Sequence, residues 1–189
     1  MQGLKVGIEI HQRLDSKAKL FCPCSTRMPQ EERGIIRRKL KAVAGELGNV
    51  DPAALHELMR GREFLYHRYG SCLVEQDDEP PHQLNHEAFA ISLQVAKLLG
   101  AHVPEEIHIM RKTVIDGSNT SGFQRTAIIA LDGFIETSEG KVAIPTIGLE
   151  EEAAQIISRE SGKVEYGLYG LCNAGKGSRA EARLAPEKR

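Results

Sequence analysis

The sequence predicts an α+β fold in which a mostly antiparallel sheet packs against helices, and three observations support this class. Residues 3–11 alternate apolar and polar side chains with the period of a half-buried strand. Residues 124–131 and 142–149 are strand-like and flank a turn around 138–140, which predicts a hairpin. Residues 85–100 have the capping residues and apolar spacing of a helix that needs a sheet to cover one face.

The composition indicates a single domain and excludes several functional classes. The 189 residues include 25 Lys+Arg and 26 Asp+Glu, so any contact with nucleic acid must be local. The chain shows no apolar run near the ~18 residues of a membrane span. Its alternating start does not resemble a secretory signal, so we expect a cytoplasmic protein without membrane contact. In a reducing compartment its four cysteines are expected to be thiols or metal ligands rather than disulfides.

In the first half of the chain, the clearest local signal is a helix start. Asp51 is a suitable N-cap and Pro52 suits the first helical position, which predicts a short helix ending near Met59. The other predicted elements of this half are a loop at 12–28, a partly exposed helix or helix pair at 30–48, and short strands at 64–69 and 72–75.

In the second half, the strongest prediction is the helix that follows the acidic, proline-rich break at 76–81. Asn85 is its expected cap, Leu84 and Phe89 occupy the hydrophobic-staple positions, and Gly100 ends it. The other predicted elements are a strand at 105–112, a turn at 116–122, the hairpin described above, a helix at 150–160 and a last strand at 163–171.

Glu9 and His11 are the first candidate functional pair. Two residues apart on a strand, their side chains share a face, and a carboxylate with an imidazole can hold a divalent ion or a water molecule. The same spacing also fits a solvated strand face. The acidic residues 150–152 suit a first helical turn, and one of them could complete a metal site if the preceding strand brings it beside Glu9 and His11.

Basic residues flank the turn at 117–122. Arg111, Lys112 and Arg125 beside a turn rich in Gly, Ser and Asn suit phosphate oxygens, although the turn does not match the Walker A pattern. An ordinary hairpin with surface arginines is the alternative interpretation of this segment.

Three cysteines form a further candidate site. Cys22, Cys24 and Cys72 offer three soft ligands for zinc, and His67 is the candidate for the fourth. Free thiols are the alternative. Cys172 is set aside because it borders a segment with almost no bulky apolar residues.

Four collinear segments resemble a known family. They are VGIEIHQRLDSKAKLFCPC, CLVEQDDEPPHQLN, MRKTVIDGSNTSGFQRTAIIALDG and IGLEEEAA, and they run from about Leu4 to Glu165. Together they are similar to the E subunit of the archaeal glutamyl-tRNA(Gln) amidotransferases and, more distantly, to the B subunit of the bacterial and organellar enzymes. The resemblance implies that the fold is part of a catalytic cradle related to glutamine synthetase.

The resemblance also implies a reaction. Members of the family use ATP and Mg²⁺ to phosphorylate the side-chain carboxylate of glutamate on tRNA(Gln), and ammonia then displaces the phosphate. This makes them carbon–nitrogen ligases with glutamine as amido-nitrogen donor. The expected partners are Glu-tRNA(Gln) and an asparaginase-like subunit that supplies the ammonia.

Residue roles follow from the matched segments. Glu9, His11 and Glu151 match Mg²⁺ ligands of the family, and Lys112 is expected to act with them in catalysis. The residues expected to line the nucleotide pocket are Arg111, Lys112, Gly122, Gln124 and Arg125.

The chain also departs from the family. Members are several times longer, and the similarity ends near Tyr166, before a strand that supplies another active-site carboxylate. We therefore expect a partial synthetase-like domain over 1–171, a disordered tail over 172–189, and weak or no activity of this chain alone. An unfinished sheet predicts an exposed edge that is covered by the tail or by a second copy. The alternatives are a non-catalytic module that binds a partner subunit or tRNA, and a small zinc protein.

Overall fold

The structure, a computed structural model, describes residues 7–26, 31–39, 44, 48–152, 154–168 and 179–185. These residues form two helices and nine strands. In chain order the elements are β1 (Ile8–Arg13), β2 (Ile35–Arg38), α1 (Pro52–Met59), β3 (Glu63–Arg68), α2 (His86–Leu98), β4 (Ile109–Thr113), β5 (Phe123–Thr137), β6 (Gly140–Glu150), β7 (Gln155–Glu160), β8 (Lys163–Leu168) and β9 (Arg179–Ala185). No helix among the described residues is long and apolar enough to cross a membrane.

The strands form two sheets, which confirms the predicted α+β class with mostly antiparallel pairing. The larger sheet has the order β1-β9-β6-β5-β4, and all its neighbours are antiparallel. The smaller sheet has the order β2-β3-β8-β7, in which β3 and β8 are parallel. The predicted hairpin is confirmed as β5 and β6, which pair over nearly their whole length.

Helix α2 covers one face of the larger sheet, as its sequence predicts. The Asn85 side chain caps the helix by accepting hydrogen bonds from the backbone of Glu87 and Ala88 at 2.8 and 3.1 Å. Ala88 belongs to a buried cluster with Ile129 of β5. The Asn85 amide also donates to the Ala18 carbonyl at 2.8 Å, so the helix start is tied to the loop that follows β1.

The smaller sheet holds the turn that precedes β5. The hydroxyls of Tyr66 and Tyr166 donate to the carbonyls of Gly117 and Asp116, each at 2.6 Å. Gly117 has a φ of +93°, and a Cβ there would lie 2.2 Å from a carbon of the Phe64 ring. The predicted turn therefore packs directly against the core of the second sheet.

The structure corrects the predicted helix at 150–160. Glu150 is the last residue of β6, and Gln155–Glu160 form β7, which pairs with β8 through a tight connection at Gly162 with a φ of +80°. The β-branched pair Ile156 and Ile157 suits a strand. Pairing with β8 supplies backbone hydrogen bonds that outweigh the helix propensity of the glutamates and alanines.

Two further predicted elements of the first half are wrong. Ile35–Arg38, within the predicted helical segment 30–48, form strand β2 against β3, while residues 40–43 and 45–47 lie outside the described residues. Residues 72–75 are not a strand but part of a turn in which the Gln76 amide donates to the Cys72 carbonyl at 3.1 Å. Pairing with β3 explains the strand at Ile35–Arg38, whereas a local hydrogen bond stabilises the turn at 72–75.

The tail at 172–189, for which the sequence predicts disorder, includes the strand Arg179–Ala185. These residues form β9, which pairs with β1 on one side and β6 on the other. Pairing with two strands gives this segment, which is poor in apolar residues, partners for its backbone hydrogen-bonding groups. Residues 169–178 and 186–189 lie outside the described residues. Association of two copies through a sheet edge stays a prediction.

Candidate functional site

Strands β1 and β6 bring Glu9, His11 and Glu150 together. Glu9 and His11 share a face of β1, as predicted, and Glu9 Oε1 lies 3.2 Å from His11 Nε2. The other ring nitrogen, His11 Nδ1, lies 3.8 Å from Glu150 Oε1. Two carboxylates therefore flank one imidazole, each beside a different ring nitrogen, and these oxygen and nitrogen donors would have to move closer together to share one divalent cation.

Glu150 is the most enclosed member of this group. Glu150 is only 1% exposed. The Nζ of Lys112 on β4 lies 3.2 Å from Glu150 Oε2. The Thr126 hydroxyl of β5 lies 3.5 Å from the same oxygen. A carboxylate with so little access to water needs such partners, so Glu150 links the cation of Lys112 to His11.

The face that carries Lys112 has room for a ligand. A cavity of about 380 Å³ borders it on strands β4, β5 and β6. Its lining includes Thr126, Ile128 and Gly148 in addition to Lys112. A substrate group in this cavity would therefore lie beside the Glu150–Lys112 pair.

Glu151 lies elsewhere, although its sequence segment matches a metal ligand of the family. Its carboxylate accepts from Arg125 Nη1 at 2.8 and 3.0 Å and from the Arg125 backbone amide at 3.2 Å. Burial raises the pKa of the Glu151 carboxyl, and the Arg125 guanidinium opposes this rise. Consecutive residues at a strand end project to opposite faces, so Glu150 rather than Glu151 meets His11.

The same alternation separates the two expected phosphate ligands of β4. Lys112 faces Glu150, whereas the guanidinium carbon of Arg111 lies 4.8 Å from the ring centroid of Phe123. The Arg125 guanidinium carbon lies 5.4 Å from that same centroid. Arg111 and Arg125 therefore pack against Phe123 on the face with Glu151, and Lys112 contacts Glu150 on the other face, although Arg111 also borders the cavity beside Lys112.

Gly122 and Gln124 are the other expected pocket residues, and they stabilise the backbone where β5 begins. Gly122 has a φ of +78°, and its amide donates to the Asn119 carbonyl at 3.2 Å. The buried Gln124 side chain donates to the Glu151 carbonyl at 2.7 Å. Their contacts order the turn and the end of β6.

The three candidate zinc ligands converge. One ligand atom from each of Cys22, Cys24, Cys72 and Glu75 lies within 4.8 Å of all the others. Glu75 was not among the predicted ligands, although its position three residues after Cys72 suits a turn that brings two ligands together. His67, the expected fourth ligand, lies instead on the second sheet beside Glu32, at 3.2 Å. The prediction for His67 is wrong.

Burial shapes the electrostatics of this cluster. Burial raises the pKa of the Cys22 and Cys24 thiols and of the Glu75 carboxyl. The ammonium of Lys19 opposes this rise at all three groups without cancelling it. Lys19 Nζ lies 2.7 Å from Glu75 Oε2. A divalent cation would stabilise the thiolates that burial disfavours.

Comparison with known proteins identifies the family of the chain. A family model described as the GatB/GatE catalytic domain matches residues 4–173. The chain is 51% identical over 169 residues to the glutamyl-tRNA(Gln) amidotransferase E subunit of Methanobrevibacter smithii, and 52% identical over 168 residues to that of Aeropyrum pernix. Each match covers 88% of this chain but only 27% and 26% of the relative, respectively. The chain therefore spans about a quarter of the length of these relatives.

Proposed function

The chain belongs to the GatB/GatE catalytic domain family, and from this premise we propose that it carries part of an ATP- and Mg²⁺-dependent site for tRNA-linked glutamate. At this site the side-chain carboxylate of glutamate on tRNA(Gln) is phosphorylated and then amidated. The expected partners are Glu-tRNA(Gln) and an asparaginase-like subunit that releases ammonia from glutamine. The family relationship and the polar group on the larger sheet support this proposal.

The chemistry explains why such a site needs charge neutralisation more than a covalent catalyst. The substrate carboxylate takes the terminal phosphoryl group of ATP, which leaves ADP and a mixed anhydride. Ammonia then forms the C–N bond as the C–O bond to phosphate breaks. Phosphoryl transfer depends mainly on positioning and on neutralising negative charge.

The residues fit this chemistry. Glu9, His11 and Glu150 would hold Mg²⁺, which would supply positive charge to neutralise phosphate oxygens. Lys112 holds positive charge beside Glu150 and the adjoining cavity, where it would meet a phosphate or the substrate carboxylate. The observation that carries the proposal is the convergence of these four side chains from β1, β4 and β6 on one face.

The experiment that tests the proposal measures Mg²⁺-dependent ATP binding by this chain with isothermal calorimetry. The chain contains the tripeptide Glu-Ile-His twice, at 9–11 and at 106–108, so it provides its own matched control. Glu106 and His108 also form a pair, at 3.4 Å, but both are largely exposed.

We expect the Glu9→Gln/His11→Ala variant to lose at least about 10-fold in ATP affinity, because it loses two metal ligands. The Glu106→Gln/His108→Ala variant should bind as the parent chain does. Equal binding by both variants, or no Mg²⁺-dependent binding by the parent chain, would refute the proposal. The second result would favour a non-catalytic module for a partner subunit or tRNA.

A second proposal concerns Cys22, Cys24, Cys72 and Glu75, which would hold a structural zinc ion. Their convergence within 4.8 Å supports it, and three thiolates with a carboxylate suit tetrahedral zinc. Lys19 would offset part of the negative charge of this ligand set. The Thr120 hydroxyl donates to the Glu75 carbonyl at 2.8 Å, so the cluster also supports the turn before β5.

A further inference from the structure

We propose that helix α1 presents a docking surface for an acidic amphipathic helix of another protein. The surface consists of Val50, Leu55, Leu58 and Met59, and we call it the α1 stripe. The proposed nucleotide and zinc sites use none of these residues. The inference is therefore independent of both sites.

The α1 stripe follows from the period of the helix. Leu55, Leu58 and Met59 have the spacing i, i+3 and i+4, which puts three large apolar side chains on one face. Val50 precedes the Asp51 cap, the position from which an apolar side chain can reach Leu55. The four residues of the stripe are exposed, from 37% for Val50 to 75% for Met59. Single exposed apolar residues are common, but a contiguous group of them indicates an interaction surface.

Helix α1 is attached to the rest of the chain by its polar face. Glu57 is the buried residue of the helix, with 6% exposure. Its carboxylate pairs with Arg62 and also lies 3.6 Å from Arg60 Nη1. The Arg62 guanidinium carbon lies 5.8 Å from the ring centroid of Phe64, so the ion pair ties α1 to the smaller sheet. Surface helices normally bury their apolar face, and the reversed orientation of α1 leaves the stripe to a partner.

The size of the α1 stripe argues against a second copy of this chain as its occupant. The exposed parts of its four side chains amount to about half or less of the ~800 Å² that each partner buries in a stable interface. A single amphipathic helix, in contrast, binds through a few apolar anchors at the spacing i, i+3, i+4 and i+7. The α1 stripe offers a matching set of anchors.

The charges near the α1 stripe indicate the polar residues of the occupant. Arg60 ends the helix with 54% of its side chain exposed, and its neighbour Glu57 is buried and shared with Arg62. Arg37 of β2 is 71% exposed and lies 3.6 Å from Glu63, where β3 begins shortly after α1. Acidic residues beside the apolar anchors of the occupant would complement these two cations.

The test uses two fluorescein-labelled synthetic peptides of about 16 residues, a length at which a helix can form. Both peptides carry the same helical stripe of leucines. Glutamates flank this stripe in the acidic peptide, and lysines flank it in the basic peptide. Fluorescence anisotropy measures the binding of each peptide to the full chain. We expect the acidic peptide to bind about 10-fold more tightly than the basic peptide, because its charges complement Arg37 and Arg60.

Three variants locate the binding surface. Leu58→Glu should weaken binding of the acidic peptide at least about 10-fold, because it puts a charge among the apolar anchors. Arg60→Gln should reduce the preference for the acidic peptide over the basic one. The matched control is Leu98→Glu, because Leu98 of α2 is 85% exposed and lies outside the α1 stripe. This control should bind the acidic peptide as the parent chain does.

Several results would overturn the proposal. They are failure of the parent chain to bind the acidic peptide, equal affinities for the two peptides, and equal affinities of Leu58→Glu and Leu98→Glu for the acidic peptide. Light scattering on the same samples tests the alternative occupant. A dimer of the parent chain that Leu58→Glu dissociates would identify a second copy on the α1 stripe and would also contradict the proposal. No ATP or metal enters these assays, so their outcomes are separate from those of the proposed function.

Discussion

Lys112 of β4 and Glu150 of β6 form an ion pair, with 3.2 Å between Nζ and Oε2, across the intervening strand β5. The two side chains differ in exposure, 44% for Lys112 and 2% for Glu150. The carboxylate therefore depends on its protein partners far more than the ammonium does. The change in the free energy of unfolding should therefore depend on which of the two residues is replaced.

Replacing Lys112 with Met should lower the free energy of unfolding by about 1–3 kcal/mol, because it removes a cation from a buried carboxylate. The Lys112→Met/Glu150→Gln double variant should recover part of this loss, and ATP affinity should stay low in both. Urea unfolding and calorimetric titration give the two quantities. Unchanged ATP affinity in Lys112→Met would remove the proposed role of the ammonium.

Zinc should copurify with the chain at about one ion per molecule, as expected for a closed four-ligand site. Cys72→Ser and Glu75→Gln should each lower this ratio, and a chelator should lower the melting temperature of the parent chain because structural zinc contributes to folding. Elemental analysis and thermal unfolding give the measurements. Cys172→Ser is the matched control, and an equal loss of zinc in that variant would contradict the assignment.

Gly117→Ala should destabilise the chain by about 2 kcal/mol or more, because the new Cβ meets both a positive φ and the ring of Phe64. Gly140→Ala is the control for φ alone. Gly140 has a φ of +119°, yet a Cβ there meets nothing within 4 Å. Urea unfolding should show a clearly smaller loss for Gly140→Ala, and equal losses would mean that the contact with the second sheet contributes little.

Stability should fall in alkaline solution as Tyr166 titrates. Burial, followed by the nearby Asp116 carboxylate, raises the pKa of Tyr166 to about 12 from an ordinary value of 10. Because the folded-state pKa is the higher one, the contribution is complete below pH 10 and is lost as the pH rises toward 12. The loss reflects the unfolded chain ionising first.

Tyr166→Phe tests this contribution directly. At pH 7 the variant should be less stable by about 1 kcal/mol, because the hydroxyl no longer donates to the Asp116 carbonyl. The difference from the parent chain should shrink as the pH rises above 10. Urea unfolding at several pH values measures it, with Tyr69→Phe as the control for loss of a hydroxyl from a less buried tyrosine. A difference that stayed constant to pH 12 would contradict the expectation.

Local signals explain which elements the sequence predicted correctly. Asp51 with Pro52 begins α1, Asn85 caps α2, and alternating residues form the hairpin of β5 and β6. Each of these signals acts within one turn or one strand. The helix prediction for residues 150–160 is wrong, because the conformation of this segment depends on pairing with β8, which follows it in the chain.

The candidate site residues also divide into those that local sequence signals place and those that only tertiary contacts place. The spacing of Glu9 and His11 is sufficient to place them on one face of a strand, and the structure confirms that they meet. The pairing of Glu75 with three cysteines, in contrast, depends on a turn and a loop from distant parts of the chain. The separation of Arg111 from Lys112 follows from the two-residue period of a strand and could have been anticipated.

By itself, the sequence determined the family, most of the strands, both helices and the residue types from which two candidate sites are built. These features depend on residue order and on short-range periodicity, and both can be identified in one sequence. Only the tertiary structure decided that Glu150 joins His11 while Glu151 joins Arg125. The reason is physical: consecutive residues of a strand face opposite sides, and which side meets β1 is decided by sheet order and packing.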